Sequence, residues 1–187
     1  MIPIRNKKKN LNVTVEEMRN FAFVYIEKYA PSKQQLKTYL LKKYLKTSIT
    51  NVKKQDVNNL IDIVLSDLEK SKFINDKFYS ETKAKSMIRR GNSINKIRSY
   101  LIGKGIRDDF IKETVSKIQD ENSDQDFFSA IKICKKKRIG PARVNDNRAL
   151  FYKKDISLLA RNGFDFETSK KIMDLEKEDY LKIIKLL

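Results

Sequence analysis

The chain has no histidine and no tryptophan, one cysteine, three prolines and five glycines in 187 residues. Without histidine it lacks the commonest general base and metal ligand at neutral pH. A single thiol, Cys134, excludes an internal disulfide, and no Cys/His cluster exists to hold zinc. The apolar context from Ile131 to Cys134 predicts a packed thiol, not a reactive one. So few glycines and prolines argue against a turn-rich β-sandwich or barrel. No long apolar run is present. Residues 1–12 carry Arg5, Lys7, Lys8 and Lys9 with no hydrophobic stretch behind them, so neither a secretory signal nor a membrane span is expected. That reading places the protein in the cytoplasm, with no metal and no cofactor.

What is present is charge. The formal net charge is +17, from 41 basic against 24 acidic residues. Such an excess pulls a chain toward polyanions such as nucleic acid, an acidic membrane surface or an acidic protein groove. Most of the basic residues are lysine, and lysine, asparagine and isoleucine abound together, so codon bias is an alternative source for part of the charge. A 40% apolar fraction suits small cores spread along an elongated chain better than one sphere.

Apolar spacing is helical throughout. Thr14, with Glu17 three residues on, is a capping box opening a helix whose face carries Val15, Met18, Ala22, Tyr25, Ile26 and Tyr29. Ala30-Pro31 ends it. Ser32 caps a second helix bearing Leu36, Leu40 and Tyr44. After the polar stretch from Lys46 to Asn51 comes a stripe of Val57, Leu60, Ile61, Val64, Leu65 and Leu68. Asp76 is placed to cap a fourth helix running from Lys77 to about Arg90. Ser93 caps a fifth, with Ile94, Ile97 and Leu101 inward and a left-handed stop at Gly105. A sixth runs from Arg107 to about Gln119. A seventh carries Phe127, Ile131 and Cys134 and ends in Lys135-Lys136-Lys137-Arg138. An eighth is expected from Arg143 to Asn162, and a last helical stretch from Phe166 to Leu187, broken near Glu176.

The stretch from Ser93 to Ile106, SINKIRSYLIGKGI, echoes Ser32 to Leu45, SKQQLKTYLLKKYL, 61 residues earlier. LLARNGF (Leu158–Phe164) is a fainter third version of YLIGKGI (Tyr100–Ile106). The expected fold is therefore all-α, with three tandem three-helix repeats forming an elongated, curved molecule. Residues 1–13 would be a flexible basic arm, and 14–73, 74–120 and 121–187 the three repeats. Duplication extends a binding face and encloses no deep pocket.

Four motifs in this order resemble the RecX family of RecA regulators: SKQQLKTYLLKK (Ser32–Lys43), LEKSKFINDKFYS (Leu68–Ser80), GNSINKIRSYLIGKGI (Gly91–Ile106) and LLARNGF. The second is similar to the family signature Leu-x-x-x-Gly-Tyr-Leu-Asp-Asp-x-Arg-Phe-Ala. Ser71 is read as replacing its Gly, Asn75 its first Asp, and Lys77 as standing where Arg is common. The resemblance implies a helical crescent, a monomer, lying in the groove of the RecA–DNA filament and restraining ATP hydrolysis and strand exchange. Its partners would be the RecA filament and single- or double-stranded DNA. A general DNA-binding or architectural helical protein is the alternative.

Contact candidates are Arg89, Arg90, Lys96, Arg98, Lys104, Lys135, Lys136, Lys137, Arg138, Arg143, Arg148 and Arg161. Arginine is favoured among them because its planar fork grips carboxylate and phosphate through two bonds. Asp76 as a cap, Phe78 as a core aromatic, and Leu101, Gly105 and Ile106 read as structural. Asp108-Asp109 does not make a metal site, since adjacent helical side chains diverge. The GKG of LIGKGI lacks the phosphate-loop spacing. No enzyme is expected.

Overall fold

The computed structural model describes residues 11–46, 53–144 and 147–187. Most of the expected basic arm and the connection after Lys46 lie outside these. The described residues form ten α-helices and one 3-10 turn, with no strand. The all-α expectation holds. The chain divides into two compact units, one up to Tyr79 and one from Ser80.

In the first unit, α1 (Val15–Tyr29), α2 (Lys33–Lys46) and α3 (Lys54–Lys70) share one core. Met18 and Ala22 of α1, Leu36, Leu40 and Tyr44 of α2, and Val57, Ile61, Val64, Leu65 and Leu68 of α3 are at most 2% exposed. The α3 stripe does what its spacing predicts, at roughly 1.5–3 kcal/mol per buried side chain. Thr14 Oγ1 accepts the Glu17 N–H at 3.3 Å. Ser32 and Gln35 cap α2 reciprocally, each side chain accepting the other's N–H at 3.2 Å.

The next helix, α4 (Asp76–Arg89), begins one residue before the expected start. This corrects two expectations. Asn75, not Asp76, is its cap: Asn75 Oδ1 accepts the Phe78 N–H at 2.9 Å. Asp76 instead holds the start of α2, its Oδ1 accepting the Lys33 N–H at 2.8 Å. With that register Tyr79, Ser80 and Ala84 turn inward, and Phe78 is 67% exposed. Tyr79, not Phe78, is thus the buried aromatic here. In the turn after α3, Lys72 is left-handed, with φ +60°.

The second unit continues α4 with α5 (Ile94–Gly103), α6 (Asp108–Glu121), α7 (Gln125–Lys137), the 3-10 turn Gly140–Ala142, α8 (Arg148–Arg161), α9 (Phe166–Met173) and α10 (Lys177–Leu186). The eighth helix starts five residues later than expected, because Arg143 is extended, at ψ 162°. The final stretch is two helices, separated at Asp174–Glu176. Leu101 is fully buried, Ile106 nearly so, and Gly105 has φ +71°. The Gly105 N–H bonds to the Ile102 carbonyl and the Ile106 N–H to that of Leu101, a Schellman end. Gly163 and Phe164 repeat that pattern on Ala160 and Leu159. A core of Ile131, Cys134, Ile139, Leu159, Phe164, Ile172, Met173 and Tyr180 joins α7 to α8–α10.

Candidate polyanion interface

The C-terminal turn of α4 carries Arg89 and Arg90, both exposed. Gly91 follows at φ +80°, and its N–H bonds to the Ile88 carbonyl at 2.8 Å. The turn presses against α7. A Cβ on Gly91 would lie 3.0 Å from the Ser129 carbonyl oxygen and 3.1 Å from Lys132 Cβ. Only glycine satisfies both the left-handed backbone and that approach. Lys132 shares a helix face with Lys135 and Lys136, three and four residues on. Two basic groups separated in sequence are thereby joined into one run: Arg89 and Arg90, then Lys132, then Lys135 and Lys136.

Lys132 was not among the sequence candidates, because it stands alone inside the apolar stretch Ile131–Cys134. The available signal was its spacing to Lys135 and Lys136. Lys135, Lys136 and Lys137 are exposed in the last turn of α7, where cations are favoured by the negative end of the helix dipole. Arg138, also exposed, closes the helix in the left-handed conformation at φ +55°.

The other candidates are distributed differently. Arg98 is exposed on α5, and Arg161 is exposed on α8, its Nε donating to the Ser157 carbonyl at 3.2 Å. Lys104 Nζ lies 5.2 Å from the Tyr100 ring centroid. Lys96 Nζ donates to Asn162 Oδ1 at 3.0 Å, part of a joint in which Ser93 Oγ donates to the Asn162 carbonyl at 2.8 Å. Arg148 donates to the carbonyls of Met173 at 2.5 Å and Leu175 at 2.8 Å, satisfying the end of α9.

Arg143 grips the fully buried Asp155 with both arms of its fork, at 2.6 and 2.9 Å, and stacks 4.3 Å from the Phe151 centroid. Asp155 also accepts the Gly140 N–H at 2.8 Å. Burial pushes its carboxyl up, but the bonds from Arg143 and Gly140 outweigh burial and hold it below the usual carboxylate range. The same pairing raises Arg143. Arg143 and Arg148 thus act inside the fold, as an ion pair and a helix-end clamp.

Burial, with the Asp155 charge adding, pushes the Cys134 thiol up to about 12, so it is inert at neutral pH. Among the described residues no group of carboxylates or thiols could hold a metal ion. No described helix is long and apolar enough to cross a membrane.

The described residues thus define an all-helical protein that carries an exposed basic run at the junction of α4 and α7. No family model matches the chain. A protein of Myxococcus xanthus (strain DK1622) named regulatory protein RecX is 29% identical over 173 residues, covering 91% of each chain. One of the same name from Agrobacterium fabrum (strain C58 / ATCC 33970) is 25% identical over 161 residues, covering 86% of this chain and 84% of that protein. The crystal structure of a regulatory protein RecX, 19% identical, superposes with a TM-score of 0.58 over 86% of this chain and 74% of that one. Across about nine-tenths of its length the chain is thus similar to proteins named regulatory protein RecX, and it shares the fold of the solved one.

Proposed function

We propose that this protein binds the groove of the RecA–DNA filament and restrains RecA ATP hydrolysis and strand exchange. The observation that carries the proposal is the approach of Gly91 to Ser129 and Lys132, which sets Arg89 and Arg90 beside the lysine face of α7. A filament groove lined with phosphate and acidic side chains is the complement of such a run. Arg98 and Arg161, exposed and free of any acidic partner among the described residues, are further contact candidates. The proposed organisation remains an arm over residues 1–13 and three helical stretches over 14–73, 74–120 and 121–187, acting as a monomer.

The deciding measurement is competition between preformed RecA filament and bare single-stranded DNA, followed by RecA ATP turnover. Preference for the filament, with turnover slowed at near-stoichiometric protein, is expected. Unchanged turnover and strand exchange would refute it. Equal affinity for naked DNA would favour the architectural reading, which the same basic run also suits.

A further inference from the structure

In the first unit a cleft of about 430 Å³ opens between α1 and the last turn of α3. Phe23 and Phe73 meet edge to face within it, centroids 4.9 Å apart, over Leu68. Arg19, Asp67 and Lys70 complete its lining. Phe73 is 54% exposed, yet it is no loose loop residue: its N–H bonds to the Leu68 carbonyl at 2.9 Å, and Ile74 beside it is buried. A rigid turn displays an aromatic ring to solvent.

The charges around the cleft are unevenly matched. Asp67 is paired with Arg19 at 2.8 Å, Glu69 with Lys33 at 2.5 Å and Asp62 with Lys37 at 2.6 Å. Lys70 and Lys72, both exposed, have no acidic partner among the described residues. Lys70 lines the cleft, and Lys72 lies between two residues that do, Ser71 and Phe73; an apolar floor with these cations is complementary to an apolar anchor flanked by carboxylates. The volume lies within the range of sites that enclose a small ligand or side chain.

We infer that this cleft docks an acidic protein segment, which places one aromatic or aliphatic side chain against Phe23 and Phe73 while its carboxylates meet Lys70 and Lys72. A single strand of nucleic acid would also stack on Phe73. Single-strand sites, however, track the backbone along a groove with successive rings, whereas here the exposed ring of Phe73 stands beside the half-buried Phe23, which suits one anchoring side chain. The inference is independent of the α4–α7 junction, and neither stands or falls with the other.

The chain contains no tryptophan, so Phe73→Trp places a lone indole in the cleft. The probe is a dodecapeptide of alternating Glu and Ser with a central Phe, titrated into the full chain at low salt. A saturable blue shift is expected, weakened about tenfold by central Ser in the peptide and about tenfold by Lys70→Glu in the protein. Anisotropy of the fluorescein-labelled peptide with unsubstituted protein repeats the measurement without the tryptophan. No saturable binding in either format overturns the inference. So does equal binding of the all-polar peptide, or preferential binding of oligo-dT, which would make the cleft a base-stacking site.

Discussion

A lysine at φ +60° bears a steric load that glycine would not, and Lys72 bears it at the turn closing α3. Left-handed backbone costs an L-residue about 1–2 kcal/mol, partly offset in any glycine replacement by the greater freedom of the unfolded chain. Lys72→Gly is therefore expected to stabilise the fold by about 0.5–1 kcal/mol, read as a higher urea midpoint at unchanged slope. Asp155 is the opposite case, a buried carboxylate with three hydrogen bonds. Asp155→Asn leaves Arg143 without its counter-charge and should cost about 3 kcal/mol at neutral pH. Because the folded carboxyl is held below its ordinary value, its contribution is complete above about pH 4 and is lost as pH falls through the folded value. The stability gap between the two proteins should accordingly narrow below about pH 4; urea titrations at several pH values check this. Neither role was visible beforehand. The left-handed step at Lys72 has no glycine to mark it, and Asp155 is one acid among lysines until Arg143 reaches it across the 3-10 turn.

At the scale of helices, the echo between residues 32–45 and 93–106 is structural. Ser32 and Ser93 both cap, and Leu36 with Ile97, and Leu40 with Leu101, are fully buried pairs. A second likeness has no trace in that alignment. Asp76 accepts the first N–H of α2, and Asp126 accepts the Ile94 N–H, the first of α5, at 2.7 Å. Each helix start is held by a carboxylate from a later helix, which only packing supplies. Packing also separates two glycines that look alike in sequence. A Cβ on Gly163 (φ +88°) would collide with Ser93 Oγ, whereas one on Gly103 would meet nothing within 4 Å. Gly163→Ala should destabilise by at least about 1 kcal/mol and loosen the α5 joint. Gly103→Ala should be neutral or stabilise by up to about 1 kcal/mol. Thermal unfolding by circular dichroism distinguishes them.

For the molecule as a whole, the excess charge sets how it should respond to salt. If the α4–α7 run meets phosphate, replacing Arg89, Arg90 and Lys132 together with Gln should lower the slope of log affinity against log salt by about 2–3 on duplex DNA. Arg89→Glu with Arg90→Glu should weaken RecA inhibition while leaving the helical dichroism intact, since both side chains are exposed. Unaltered inhibition would place the contact elsewhere. By itself the sequence determined the all-helical class, the burial of the α2, α3 and α5 stripes, and the resemblance to regulatory protein RecX, because helical periodicity and capping are local and survive in linear order. Which cations remain free was decided only by tertiary structure. Arg143 and Arg148 are drawn inward by a carboxylate and by carbonyls distant in sequence, while Gly91 brings Arg89 and Arg90 to Lys132. Charge is a property of composition, but its availability depends on what folding packs beside it.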